Sequence, residues 1–291
     1  MAISPLNYPG NKAKSLKELL SIIPNDIDVF VDAFAGSGMV SFNSSAKEII
    51  CNDINEHAIE LIKYLYDNDG ETIIKRMDSI ICKYGFTDST NPNNNYVEHK
   101  HEGLSHYNRL PFNKLKNDYN KYKDTDRLFA LIIFGFNHYL RFNKNDIFNV
   151  PVGKVDFSRS LRDKTVDFCT QAKRYKVTFS TCDFLDRKIY AKCTDKSFVY
   201  FDPPYLVTTA PYNGDWSQND DDNLFELFDD LNAKGIKVAL SNVFMSNGKE
   251  NKKLIEWSNK YNVHFLKRQY RNANYQKRNV TDSIEVLITN F

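Results

Sequence analysis

The chain is poor in the features that mark several protein classes. It has five cysteines, Cys51, Cys82, Cys169, Cys182 and Cys193, an odd number with no CxxC pair, which argues against a disulfide framework and a structural zinc site. Its longest apolar run, Phe129 to Phe136, is far short of the ~20 residues a membrane span needs, and the opening MAISPLNYPGNKAKSL lacks a charged segment followed by an apolar one. No membrane is expected, and a cytoplasmic location is. Neither sign of charge dominates: 39 Lys and Arg against 37 Asp and Glu leave +2, so any nucleic-acid partner must be met by a local basic surface. No internal repeat is visible. A hydrophobic content of 42% with 26% charged residues excludes a chain disordered throughout, and 291 residues allow one large domain or a body with an insert.

The pattern along the chain favours a body with an insert. A helix pattern over Ser15–Ile23 leads into the apolar strand Val29–Val31, which ends in Asp32-Ala33-Phe34-Ala35-Gly36-Ser37-Gly38. A second apolar run, Glu48 to Asp53, precedes a helix pattern from Glu56 to Tyr66. Strand, glycine turn, helix, strand and acid is the order of a βαβ unit. From 67 to 174 the composition changes to polar loops and aromatics without strand–helix alternation, so this stretch is expected to be an inserted, mainly helical domain. Alternation resumes with Val177–Phe179, Ser197–Phe201, a helix over Asn223–Ala233, and strands over Ile236–Leu240 and Ile284–Asn290. The reading is an α/β body with a mixed, mostly parallel sheet.

Two glycines after a strand let the backbone approach a ligand where a side chain would clash. A dinucleotide-binding turn would carry a third glycine where Ser41 stands, which disfavours that cofactor class. Asp53 lies at the end of the next strand, where a carboxylate can accept hydrogen bonds from two ribose hydroxyls. The same residues also suit a tight turn with Asp53 capping the following helix. Before the first strand, Tyr8-Pro9-Gly10-Asn11-Lys12 forms a glycine-containing turn with a cation, suited to fold over the end of a cofactor and set Lys12 near the cofactor's own carboxylate, or to leave a solvated lysine.

Asp202-Pro203-Pro204-Tyr205 follows the strand Ser197–Phe201 at its carboxyl end, where open α/β sheets place ligands. Neither proline has an N–H to donate, so the chain leaves the sheet stiffly and the preceding carbonyls are free to accept. A carboxylate with a free carbonyl makes a two-acceptor cradle for an NH2 group, the arrangement needed to methylate an aromatic amine. Tyr205 offers a face on which a base taken out of a duplex could stack. A proline-stiffened turn with a capping aspartate is the plainer alternative.

Four phrases taken in order, PLNYPGNK, FVDAFAGSG, DPPY, and Arg141-Phe142-Asn143 followed by Phe148-Asn149-Val150-Pro151-Val152-Gly153, resemble the Dam-like family of adenine-specific DNA methyltransferases. The resemblance spans nearly the whole chain, to Asp282–Asn290. It implies a Rossmann-like methyltransferase that transfers methyl from S-adenosylmethionine, leaving S-adenosylhomocysteine, to N6 of a flipped-out adenine in double-stranded DNA, with a GATC-type site as target. It assigns 1–66 and 175–291 to the catalytic domain and 67–174 to target recognition. Tyr8, Gly10, Lys12, Asp32, Phe34, Gly36, Gly38, Asp53, Asp183 and Phe184 would hold the cofactor, and Asp202, Pro203, Pro204 and Tyr205 the target base. Asn11 departs from the family, which usually has a second glycine there.

DNA contacts are expected from Arg127, Arg141, Asn143, Lys144 and Asn149 in the insert. A second set lies in the acid-free run of Lys267, Arg268, Arg271, Tyr275, Lys277 and Arg278, which suits a DNA backbone or the gap left by a flipped base. The first set is also compatible with a solvated face, and the second with a surface hairpin. The histidines make no convincing metal site and methyl transfer needs none. No Pro-Cys motif is present for a cytosine ring-carbon route through a thiolate. The chain is expected to act as a monomer on DNA, with a cognate restriction endonuclease as a further partner. The rival readings are the same chemistry on RNA or protein amides, and a non-catalytic nucleic-acid binder on a cofactor fold.

Overall fold

In a computed structural model, residues 1–8, 10–91, 103–208, 216–266 and 283–291 are described. They fall into two compact units, one of Lys12–Ala35, Asn43–Ile54 and Tyr175–Phe291, the other of Met1–Asn11, Gly36–Phe42 and Asn55–Arg174.

The first unit is built on a sheet of strands β1 (Val29–Asp32), β2 (Glu48–Asn52), β3 (Lys176–Ser180), β4 (Ser197–Phe201), β5 (Lys237–Ser246), β6 (Lys249–Glu250), β7 (Asn262–Phe265) and β8 (Ile284–Thr289). Their order is β3-β2-β1-β4-β5-β8-β7, with β6 paired to β5 outside that path. Strands β1 to β5 pair in parallel along this path, and β8 enters antiparallel between β5 and β7. This is the mixed, mostly parallel sheet expected of a Rossmann-like methyltransferase. All five residues of β4, Ser-Phe-Val-Tyr-Phe, are buried, as a central parallel strand covered on both faces requires. One face packs Val199, Phe201, Val238, Leu240, Val286 and Ile288 against the apolar side of helix α7 (Gln218–Ala233) and Leu254 of α8 (Lys252–Ser258). Helix α1 (Leu16–Ile22) contributes the buried Leu16 and Leu19.

Two of these elements run past their sequence-predicted ends. Helix α7 starts at Gln218 because Ser217 and Asp220 cap it reciprocally, side chain to backbone in both directions, so the polar first turn is helical. Strand β5 continues through the polar Ser241 and Asn242 to Ser246. The Ser241 hydroxyl is satisfied by the Tyr200 hydroxyl at 2.7 Å, so burial does not end the strand there.

The second unit is helical among its described residues: α2 (Glu56–Asp67), α3 (Gly70–Tyr84), α4 (Ser105–Tyr122), α5 (Thr125–Phe134) and α6 (Arg159–Ala172). Most of the longest apolar run of the sequence, Phe129 to Phe134, lies in α5, where Leu128 to Phe134 are all buried, making it a core helix. Among the described residues no helix is long and apolar enough to cross a membrane. Beyond α5, an antiparallel bridge between Phe142 and Phe148 forms a small hairpin, anchored by the buried Phe148 and by Phe142 stacked on His57 at 3.7 Å.

Candidate active site

The carboxyl ends of β1, β2 and β3 are tied by one residue. Asn52, fully buried at the end of β2, donates from Nδ2 to the carbonyls of Ala33 and Cys182 and accepts from the Cys182 N–H, each at 3.0 Å. Its own carbonyl accepts from the Ala35 N–H at 2.8 Å. Asp53 follows, 8% exposed. It does not cap α2: that role belongs to Asn55, whose side chain accepts from the N–H groups of His57 and Ala58. The capping alternative for Asp53 is thereby removed, and a nearly buried carboxylate stands at the end of β2. Asp32 closes β1 and is buried as well.

Phe34, just beyond β1, is half-buried and meets Phe184 and Trp216 with ring centroids at 5.2 and 5.7 Å, while Phe184 and Trp216 lie 5.5 Å apart. Trp216 is held by a 2.8 Å bond from Nε1 to the buried Asp221, whose carboxyl burial raises above its ordinary value. Asp183, exposed, turns its own loop by accepting from the Leu185 N–H at 2.8 Å. Aromatic faces beside a carboxylate suit a purine nucleoside with ribose hydroxyls to bind, so these residues fit S-adenosylmethionine.

In the helical unit, the turn at Gly36 and Gly38 has φ of +52° and +67°, a backbone that favours glycine. A Cβ on Gly36 would lie 3.0 Å from the Tyr8 ring, and one on Gly38 2.7 Å from that of Phe42. Gly10 also has positive φ, and the Asn11 N–H closes the turn onto the Tyr8 carbonyl at 3.1 Å.

A dense polar cluster lies at the end of β4. Lys12, 3% exposed, places Nζ 2.6 Å from both Asp202 carboxylate oxygens and 2.7 Å from the Tyr205 hydroxyl, and that hydroxyl donates to Asp202 Oδ1 at 2.7 Å. Glu285 of β8, 1% exposed, brings Oε1 to 3.9 Å from the same Nζ. Burial raises the Asp202 carboxyl above its ordinary value, with the Lys12 ammonium the largest opposing influence. Burial, then Asp202, then Glu285 raise the Tyr205 phenol. Lys12, expected beside the cofactor's carboxylate or in solvent, is buried rather than solvated and lies against the Asp202 carboxylate and the Tyr205 hydroxyl. Pro203 is buried and Pro204 half-buried behind the carboxylate. Asn52, Trp216 and Glu285 were missed. The signal for Glu285 was a lone acid in the otherwise apolar Ile284–Thr289 strand.

Of the residues expected to touch DNA, Arg141, Asn143, Lys144 and Asn149 sit exposed on the Phe142–Phe148 hairpin. Arg141 donates to the side chain and carbonyl of Asn149, and Asn143 accepts from the N–H groups of Asn145 and Ile147, so the hairpin is internally braced. Arg127 is engaged instead within its unit, with Tyr84 and Asp124. Lys267, Arg268, Arg271, Tyr275, Lys277 and Arg278 lie outside the described residues. Glu56, His57 and Asp146 offer ligand atoms within 4.8 Å of one another, but Asp146 already serves His57 and Lys123.

Residues 8–272 match the family described as D12 class N6 adenine-specific DNA methyltransferase. The chain is 36% identical over 99% of its length to the type II methyltransferase M.FokI of Planomicrobium okeanokoites, and 33% identical over 99% to the modification methylase StsI of Streptococcus sanguinis, covering 43% of each. It is 28% identical to a DNA adenine methylase of Haemophilus influenzae over 69% of this chain and 63% of that one. The chain thus spans less than half the length of M.FokI and StsI. A mixed, mostly parallel sheet, a nearly buried acid just after β2, a DPPY carboxylate paired with Lys12 and a family match across most of the sequence agree: the chain belongs to the D12 class of N6 adenine-specific DNA methyltransferases.

Proposed function

We propose that the chain transfers the methyl group of S-adenosylmethionine to N6 of an adenine turned out of duplex DNA. One observation carries the reading: the Asp202 carboxylate and the Tyr205 hydroxyl already bind a nitrogen that bears N–H groups, that of Lys12, at 2.6–2.7 Å. The acceptors that hold this ammonium are those an adenine NH2 group needs.

The adenine amino nitrogen is a weak nucleophile because its lone pair is delocalised into the ring. Accepting its N–H bonds at Asp202 draws the nitrogen toward tetrahedral geometry and localises the pair. As the new N–C bond forms, N6 becomes cationic, and a fixed carboxylate in a largely dry site stabilises that charge. Asp202, raised in pKa by burial, is placed to take the proton that N6 then releases. Pro203 and Pro204 fix the backbone behind it. When bound, S-adenosylmethionine supplies an electrophilic sulfonium methyl and leaves as S-adenosylhomocysteine. Asp32, Phe34, Asp53, Asp183 and Phe184 are assigned to hold it, joined by Trp216, and the family resemblance extends that role to Tyr8, Gly10, Gly36 and Gly38. Target recognition is assigned to the insert, with the Arg141–Asn149 hairpin as its DNA-facing element. The names of M.FokI and StsI favour a restriction–modification setting, with an endonuclease as partner. A GATC-type site is the target suggested by resemblance.

The test is transfer of labelled methyl to unmethylated duplex DNA, with nucleoside analysis and mapping of the modified adenines. Labelled N6-methyladenine is expected from the parent protein, and Asp202→Ala is expected to lower kcat by about 10²–10³-fold or more, the scale for losing one fixed electrostatic partner. Cofactor binding without any labelled adenine would overturn the reading.

A further inference from the structure

In the structure the amine cradle is filled by the chain's own ammonium, so an incoming amino group must displace it. Lys12 is 3% exposed, and moving its charge through a packed interior to water would break the surrounding contacts. A second carboxylate is within reach. Glu285 faces Val243 across the β5–β8 pairing, and Val243 packs with Tyr205 and Val207, which puts Glu285 on the cradle's side of the sheet. Its Oε1 is 3.9 Å from Lys12 Nζ, so a shift of about 1 Å yields a full charge-assisted hydrogen bond.

We infer that Glu285 is a positioning residue that receives the Lys12 ammonium when the target amino group takes its place on Asp202. This rests on the methyl-transfer reading. Before the base enters, Lys12 bridges Asp202 and Tyr205 with Glu285 behind it. Once it has entered, the amino group is held by Asp202 and the ammonium by Glu285, and no charge is left buried without a partner. No bond is made or broken in the exchange. Moving the ammonium off Asp202 also frees the carboxylate for the positive charge that develops on N6.

The experiment measures steady-state methyl transfer to unmethylated plasmid DNA for the parent protein, Glu285→Gln, Glu285→Asp, Lys12→Ala and the double variant Lys12→Ala/Glu285→Gln. S-adenosylhomocysteine binding by calorimetry gives the folded, competent fraction of each. Glu285→Gln is expected to lower kcat per competent site tenfold or more, with KM for DNA and cofactor within threefold. Glu285→Asp is expected to recover most of that loss. The double variant is expected to be no slower than Lys12→Ala alone, because Glu285 acts through Lys12. A Glu285→Gln enzyme with parental kcat, or losses that multiply in the double variant, would overturn the inference while leaving the methyltransferase reading intact. A parent protein that transfers no methyl to DNA would overturn both.

Discussion

Replacing Asn52 by alanine should separate stability from chemistry at the point where three strand ends meet. The side chain makes three hydrogen bonds at 3.0 Å, to the Ala33 carbonyl and to both backbone groups of Cys182, from a residue with no exposed surface. Truncation leaves two carbonyls and one N–H without that partner, and each buried polar group left unsatisfied costs about 1–3 kcal/mol. Cys182 is only half-buried, so water can recover part of the loss there. The expected destabilisation is therefore about 3–5 kcal/mol, a cavity contribution included. Urea unfolding of parent and variant in the absence of ligand reads it directly. Asn52 also holds the loop that carries Asp183 and Phe184 and the chain leading into Phe34. S-adenosylhomocysteine should consequently bind Asn52→Ala at least about tenfold more weakly, equivalent to ~1.4 kcal/mol. A loss of under ~1 kcal/mol in stability with unchanged ligand affinity would refute the claim that this residue joins the strand ends.

Trp216 packs against Phe34 and Phe184, whereas Trp257 is stacked on Phe225 at 4.4 Å and fixed by Asp229. Indole emission should change when S-adenosylhomocysteine binds the parent protein, and Trp216→Phe should abolish that change; a response retained in Trp216→Phe would remove this residue from the cofactor site. His57 should make stability depend on pH. Burial pulls its pKa down, but hydrogen bonds to Glu60 and Asp146 outweigh this and hold it above its ordinary value. The folded protein therefore binds the His57 proton more tightly than the unfolded chain. Its contribution is fully present below about pH 6.5 and is lost as pH rises through the folded value. The urea midpoint of the parent should fall across that window relative to His57→Asn, and parallel pH profiles would show that His57 contributes nothing.

What could be read ahead of the structure tracks how local each signal is. β4 ends where the sequence places it because Ser197–Phe201 is an unbroken run of residues suited to a strand buried on both faces, stopped by two prolines. The apolar pattern of β5 stops at Leu240 because Ser241 and Asn242 interrupt it, and the partner that lets Ser241 stay buried is Tyr200, 41 residues away. β7, Asn-Val-His-Phe, is short and only half-covered, so its periodicity is weak, and its register comes from β8.

The candidate site divides along the same line. DPPY and the glycine turn announce themselves because each is a few adjacent residues whose backbone chemistry is visible in their identity. The occupant of the cradle does not. Lys12 and Asp202 are 190 residues apart, and nothing in either neighbourhood names the other; the motif around Lys12 suggested a cofactor carboxylate because an ammonium suits any carboxylate within reach. The fold supplies Asp202 instead and brings Glu285 to 3.9 Å on its other side, through the antiparallel entry of β8 beside β5. That topology turns one lysine between two carboxylates into a charge with two places to rest. An amine-binding site that must first release its own amine needs such an alternative, since a buried ammonium with a single partner would resist displacement by a neutral amino group.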